Sequence, residues 1–395
     1  MSTQQQGLTP GKPAIWNDPH YRALFFQILL IIGLGAFLYI IVNNTLSNME
    51  SRGISTGFAF LSERAGFDIL QKLIPYSADS TYGRTFIVGL LNTILITVLG
   101  IVLATVLGFI VGIARLSKNW LIAKIATVYI EIFRNIPLLI QIFFWYFVVL
   151  RAMPRAKESL SFGEMFYLNV RGMNTPYPVP GEGFDFTMIA LAIAVIAAFI
   201  VRSWAKKRQQ ATGQQFPIFW TGLGLIIGLP LIVFLLSGSP LTWDMPVFKG
   251  FNFRGGMSII PELLALLIAL SIYTAAFIAE IVRSGILAVS KGQTEAALSL
   301  GLQPNQNLRL VVIPQAMRVI IPPMTSQYLN LAKNSSLATA IGYPDLVAVF
   351  MGTTLNQTGQ AVEIIAMVMA VYLTISLTIS LFMNWYNAKM SLVER

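Results

Sequence analysis

The chain has 395 residues, 55% hydrophobic and only 11% charged, whereas about a quarter of a soluble domain is charged, so a water-covered globule is excluded and a lipid-facing exterior is implied. Cysteine is absent and the single histidine is His20, which leaves no thiolate or imidazole cluster for metal binding or nucleophilic catalysis. The formal charge of +10 does not point to nucleic acid, because the basic residues cluster between apolar runs instead of forming one stripe.

Apolar runs close to the about 20 residues that cross a hydrocarbon core predict an all-α polytopic membrane protein with about eight spans. Their centres fall in residues 23–42, 86–114, 125–150, 186–201, 217–236, 260–282, 319–340 and 362–386. The first run is longer than a signal-peptide core and is followed by Asn43-Asn44-Thr45-Leu46 with no small-x-small cleavage site, so it is expected to stay as an anchor. The second carries Gly100, Ala104, Gly108 and Gly112 at every fourth position, a stripe without bulk that lets another backbone approach. In the third, Glu131, Arg134 and Asn135 precede Pro137, a pattern that fits a helix break or a gate.

The segments 43–85, 151–185 and 237–259 read as loops on the outer side; the middle one contains Pro176, Pro178, Pro180, Gly181 and Gly183. The fourth and fifth runs contain no patterned polar residue and look inserted. Between them the basic tract Arg202, Lys206, Lys207, Arg208, free of acids, marks the cytoplasmic side, and with eight spans both termini are expected there. At the end of the sixth run Glu280 and Arg283 are one helical turn apart and suited to pairing, or to a place on a substrate path. Polar Asn92 and Thr93 in the second run, and Asn330, Lys333, Asn334, Ser335 and Ser336 in the seventh, are further path candidates. A break at Lys333 could offer backbone groups and an ammonium to a zwitterionic amino acid, or Lys333 could pair with an acid or reach the interface.

The stretch 288–314 is too polar to span. Thr294 to Leu300 holds good helix formers, Gly301 stands where a C-terminal cap belongs, and Pro304 stops continuation, so a short helix on the cytoplasmic side is predicted. A helix this short is marginal alone and needs a partner or its neighbours. Small Ala296 and Ala297 permit close approach, and Glu295 can pair with a basic residue. A plain connecting loop is the competing reading.

Glu295-Ala296-Ala297, Gly301, Val311, Ile313 and Pro314 resemble the EAA loop of ABC importer permeases, with aliphatic exchanges at the two positions before the proline. In that family the loop seats in a cleft of the ATP-binding subunit, so Thr294, Glu295, Ala296, Ala297, Gly301 and Pro314 are its implied coupling residues. Leu90-Leu91-Asn92-Thr93-Ile94, the run from Tyr129 to Leu139 and Lys333-Asn334-Ser335-Ser336-Leu337 resemble the polar-amino-acid branch. The enlarged length resembles the Q-type permease of general L-amino-acid importers.

The resemblance implies a type I ABC importer fold, a five-helix core with extra helices. It divides the chain into 1–85 (tail, anchor and outer loop), 86–150 (first part of the core), 151–257 (insertion) and 258–395 (second part with the coupling loop). It further implies a bacterial inner-membrane location, cytoplasmic ATP-binding subunits using ATP-Mg, a sister permease in a heterodimer, and an external amino-acid-binding protein. No cofactor is expected on the chain itself. A phosphate-binding loop is missing, since Gly11-Lys12 runs into Pro13. An ion-coupled secondary transporter or channel is the alternative, for which paired broken spans in an internal repeat would be the sign.

Overall fold

The computed structural model describes residues 19–51, 53 and 56–390; the tail with Gly11, Lys12 and Pro13, the side chain of His20 and the C-terminal end lie outside the described residues. Helix α1 (Pro19–Ser51) and a loop with a 3-10 turn at Ala59–Ser62 lead to α2 (Tyr82–Arg115), α3 (Trp120–Asn135) and α4 (Leu138–Phe143), which continues as a π-helical stretch Phe144–Leu150. Strands β1 (Leu160–Phe162), β2 (Phe166–Asn169), β3 (Gly172–Thr175) and β4 (Tyr177–Pro180) precede α5 (Phe184–Thr212). Helices α6 (Ile218–Leu223) and α7 (Leu229–Leu236) join through the π segment Gly224–Gly228. Strands β5 (Leu241–Asp244), β6 (Val247–Lys249), β7 (Asn252–Arg254) and β8 (Met257–Ile259) lead to α8 (Pro261–Leu287), α9 (Lys291–Ser299), α10 (Pro304–Asn307) and α11 (Ile313–Asn334). A 3-10 stretch Ser335–Ile341, a π-helical stretch Val347–Thr354, α12 (Leu355–Thr358) and α13 (Ala361–Met390) complete the described chain.

Among the described residues, six helices are long and apolar enough to cross a membrane: α1, α2, α5, α6–α7, α8 and α13; the pair α3 and α4, bent by 106°, makes a seventh. The expected span at 319–340 is not among them. Helix α11 carries Gln315, Arg318, Ser326, Gln327, Asn330 and Lys333, and it lies against α2, α8 and α13. A helix covered by neighbours does not need the apolar surface that lipid demands, so hydropathy understates it.

The centre of the molecule is the crossing of α2 and α8. Gly108 faces Ile278 and Gly112 faces Ala279 and Val282, so the two helices run parallel; a Cβ at Gly108 would stand 2.6 Å from that of Ile278. The small-residue stripe is therefore packing surface: van der Waals contact between close backbones stabilises helices in lipid, where hydrophobic burial cannot. Helix α11 crosses α8 at Gly285, where a Cβ would meet Ile320 at 2.3 Å. Ile96, Leu266, Leu270, Ile142 and Tyr343 form one core cluster, and Ala104, Ile278, Ile320 and Leu331 another.

Of the segments read as plain outer loops, 151–185 and 237–259 instead pair as strands, while 43–85 keeps to a 3-10 turn and one bridge, Arg64 with Thr81. Sheet order β1-β2-β3-β8 joins residues from both sides of the α5–α7 hairpin, and β4 pairs with β5 across the same hairpin. Strands of three or four residues are too short to show an alternating pattern; β1–β2, β2–β3 and β6–β7 are local hairpins, whereas the pairings β3–β8 and β4–β5 join residues about 60 to 85 positions apart, out of reach of local patterns. Helices α5 and α6–α7 pack chiefly on each other, and no residue of α6 or α7 is buried.

Candidate functional site

Helix α9 starts three residues before the predicted Thr294 and ends one before the predicted Leu300. Its termination is as read: Gly301 is left-handed at φ +79°, and the carbonyls of Ala296 and Ala297 accept from the amides of Leu300 (3.1 Å) and Leu302 (3.2 Å). Pro304 then opens α10, with Gln303 and Gln306 capping it reciprocally, and Pro314 lies in the first turn of α11. Of the four coupling candidates within α9, only Ala297 is buried; Glu295 and Ala296 are exposed, Thr294 half-buried. The Glu295 carboxylate has no hydrogen bond or ion pair among the described residues, and Leu300 is 83% exposed. Gln315 donates to Gln293 at 3.3 Å, tying α9 to α11. A cavity of about 360 Å³ beneath is lined by Ile286, Val289, Lys291, Thr294, Glu295 and Val312. The geometry is a short helix supported from its inner side and unpartnered on the other.

At the same end of the bundle, Arg283 donates to Glu280 at 2.6 Å, the pairing expected from the sequence, and Arg115 from the end of α2 makes a second ion pair to the same carboxylate. Arg134 stands 5.2 Å over the ring of Phe277 on α8. The Arg115–Glu280 pair locks α2 to α8 where the chain leaves toward α9, and Arg134 adds α3 to the same cluster through Phe277. The α2 contribution was out of reach of a pattern search because Arg115 and Glu280 are 165 positions apart.

The remaining path candidates divide into two groups. Asn92 and Thr93 are fully buried: the Asn92 amide donates to the carbonyls of Gln71 (2.8 Å) and Pro344 (2.9 Å), and the Thr93 hydroxyl accepts from the Leu346 amide at 3.0 Å. Ser335 is also buried and donates to the Ala332 carbonyl. By contrast, Val319, Pro322, Pro323, Ser326, Asn330 and Lys333 are exposed and share one face of α11 at helical spacing. Lys333 has no partner among the described residues, Asn334 is half-buried, and Ser336 donates to the Lys333 carbonyl. The helix breaks where the sequence suggested, passing from Asn334 into the 3-10 stretch.

Pro137 breaks the α3–α4 span. Proline has no N–H for the Phe133 carbonyl, and Gln141 fills the gap, its amide donating to Phe133 at 3.0 Å and Ile136 at 2.9 Å. Asn135 donates to the Glu131 carbonyl at 2.7 Å, while the Glu131 side chain is exposed. Sequence reasoning missed Gln141 and, more importantly, Asp345. That carboxylate is fully buried, caps the helical stretch after it through the Ala348 amide (2.8 Å), and accepts from Thr339 (3.4 Å) and Tyr372 (3.3 Å). It ties the α11 break to α13. Its local signal was Gly342-Tyr343-Pro344-Asp345 ahead of an apolar run, a cap pattern.

Above the break, a cavity of about 410 Å³ is lined by Asp68, Glu262, Thr339, Gly342 and Pro344 among others. Lys72 lies 3.0 Å from Asp68 and holds its carboxyl below the usual carboxylate range through that hydrogen bond. Glu262 accepts from the Tyr146 hydroxyl at 2.7 Å. A larger groove between α2 and α13, about 610 Å³, is almost wholly apolar.

The general L-amino acid transport system permease protein AapQ of Rhizobium johnstonii is 56% identical over 378 residues, 96% of this chain and 94% of its own length. The chain belongs to the permease subunits of binding-protein-dependent amino-acid ABC importers. The permease is also 44% identical to the glutamate/glutamine/aspartate/asparagine transport system permease protein BztB of Rhodobacter capsulatus, over 96% of each chain. The family described as "Binding-protein-dependent transport system inner membrane component" matches residues 211–392. The glutamate/aspartate import permease protein GltJ of Escherichia coli is 33% identical, with 87% of its length matching only 53% of this permease. The permease is thus a multi-pass inner-membrane component and is not itself an ATPase; ATP is used by partner subunits in this family. The ion-coupled alternative falls with that assignment.

Proposed function

We propose that this permease, paired with a sister permease, forms the path for L-amino acids and couples it to ATP through α9, seated in a cleft of a cytoplasmic ATP-binding subunit. The observation that carries the coupling reading is a helix with an unpaired acid, small residues and an exposed leucine on its free side, anchored behind to α8 and α11. An unpartnered apolar and acidic surface of this kind is what a protein interface leaves when the partner is absent. With α9 in the cytoplasm, the β-strands lie outside, the basic end of α5 lies inside, and both termini are cytoplasmic.

The exposed face of α11 is the proposed substrate side. Its polar part, Ser326, Asn330 and Lys333, is costly against lipid at membrane depth, so it faces a water-filled path or the sister subunit. Lys333, with Asn330 and Asn334 beside it, suits the α-carboxylate common to all amino acids and discriminates little between side chains. Glu280, Arg283 and Arg115 form the inner clamp, and Glu131, Arg134, Asn135 and Pro137 the hinge of the broken span. ATP binding on the partners opens the path to the delivering protein, and hydrolysis returns it.

The test is uptake of labelled amino acid into proteoliposomes holding the full complex, comparing wild type with Glu295→Lys. The Glu295 carboxylate has no partner among the described residues, so the variant should still assemble. We expect uptake and binding-protein-stimulated ATP hydrolysis to fall at least about tenfold, the scale of one charge-assisted contact. Unchanged uptake would overturn the coupling role of α9.

A further inference from the structure

The β-strands on either side of the α5–α7 hairpin pair into three small sheets, a β-layer at the end of α8 opposite to α9. Its attachment is close: Gly172 takes φ +109° where β3 meets β8, and a Cβ there would stand 2.0 Å from the Ile259 carbonyl oxygen. Two residues later α8 begins, and its 27 residues rise about 40 Å to the turn before α9. Arg151 donates to the Tyr146 hydroxyl (3.1 Å), which donates to Glu262 in the first turn of α8, a second tether.

The layer contains a cavity of about 510 Å³ lined by Arg155, Lys157, Arg171, Phe248, Phe251 and smaller residues, with no carboxylate in its wall. The side chains of Arg155 and Lys157 have no hydrogen bond or ion pair among the described residues, and the Arg171 guanidinium donates to the Phe251 carbonyl, at 3.0 Å, while its backbone amide donates to Asn169. Phe251 itself is 90% exposed at the rim. Tilted and edge-on ring contacts of Tyr167 and Phe248 with Phe253 hold the hairpin that presents it. Uncompensated cations are unfavoured on the outer side of a membrane protein, and a bare phenylalanine beside them adds exposed apolar surface. Arginine with an aromatic anchor is the composition of a protein-interface hot spot.

We propose that this layer is the docking surface for the soluble amino-acid-binding protein, which seats an acidic loop in the Arg155–Lys157–Arg171 cavity against Phe251. The proposal rests on the reading that α9 faces the ATPase, which puts the layer outside. It deepens that reading by giving α8 two ends with two partners: a delivering protein at one and the motor at the other.

The experiment measures ATP hydrolysis by the complete complex in vesicles as binding-protein concentration rises, at low and high salt. In Arg155→Glu with Lys157→Glu, and separately in Phe251→Ser, the half-saturating concentration should rise about tenfold or more. The basal rate and the rate at saturation should stay within about twofold of wild type. The salt dependence should flatten in the charge variant only, since screening acts on exposed charges. Replacing an acidic residue of the binding protein by lysine should restore the charge variant.

Unchanged half-saturation in both variants would overturn the docking surface while wild-type stimulation still supports importer function. A wild-type complex indifferent to any binding protein would instead sink the importer reading itself. A half-saturation that follows the fraction of anionic phospholipid in the vesicle, and not the binding protein's acids, would reassign the cavity to a headgroup and overturn the proposal.

Discussion

Two helix pairs in this permease are nearly equal in apolar character and opposite in what holds them. At the α2–α8 crossing, glycines bring backbones together, and both helices are buried along one face. In the α5–α7 hairpin, Gly222, Gly224 and Gly228 have nothing within 4 Å of a virtual Cβ. Hydropathy finds both pairs and cannot rank them. The close pair carries the machinery, with Glu280 clamped at one end and α9 beyond, whereas the loose pair carries the strands and tolerates lipid around it. Small residues in a membrane helix therefore gain meaning only from what they face.

The sharpest way to break this comparison is a matched pair of substitutions. Gly108→Leu would drive four heavy atoms into Ile278 and should cost at least about 1–3 kcal/mol of strain, abolishing recovery of assembled complex on size exclusion. Gly222→Leu should leave both yield and thermal midpoint unchanged. Equal losses in the two would show the hairpin to be as tightly packed as the core.

A medium effect is expected at the joint between α11 and α13. Asp345→Ala leaves the Ala348 amide, Thr339 and Tyr372 without their acceptor, a loss of about 1–3 kcal/mol, measurable as a lower thermal midpoint with reduced uptake. Asp244 in the β-layer bonds the Gly256 amide at an exposed site, so Asp244→Ala should shift stability by no more than about 0.5 kcal/mol. If the two behaved alike, Asp345 would not be the joint described.

The smallest effect on stability, and the most selective on transport, belongs to Lys333→Met. Nothing among the described residues pairs with the Lys333 side chain, so the melting profile should hold while KM for uptake rises about fivefold or more. Thr93→Val should do the reverse, weakening the fold by about 1 kcal/mol through the orphaned Leu346 amide with little change in KM. A Lys333→Met permease with wild-type KM would remove the α11 stripe from the substrate path.

Much of the site was legible because its signals are local. Gly301 and Pro304 mark the end of α9 through backbone conformation alone, and Pro137 marks a break through its missing N–H. Lys333 stands out because a charge in an apolar run is expensive. What was illegible lay between distant segments. Asn92 read as a path candidate, yet its amide is occupied by Gln71 and Pro344, 21 and 252 positions away. Asp345, in a short Pro-Asp turn, carried a cap signal that becomes telling only once Thr339 and Tyr372 surround it.

By itself, the sequence determined the membrane class, most of the spans, the helix breaks and a short polar helix, read at 294–300 and observed at Lys291–Ser299, since hydropathy and turn chemistry are written over a few neighbouring residues. The tertiary structure alone decided that Arg115 shares Glu280 with Arg283, that strands on both sides of a helical hairpin make one layer, and which face of α11 is left without a partner. Those outcomes depend on contacts between residues far apart in the chain, and burial, unlike periodicity, is a property of the packed whole.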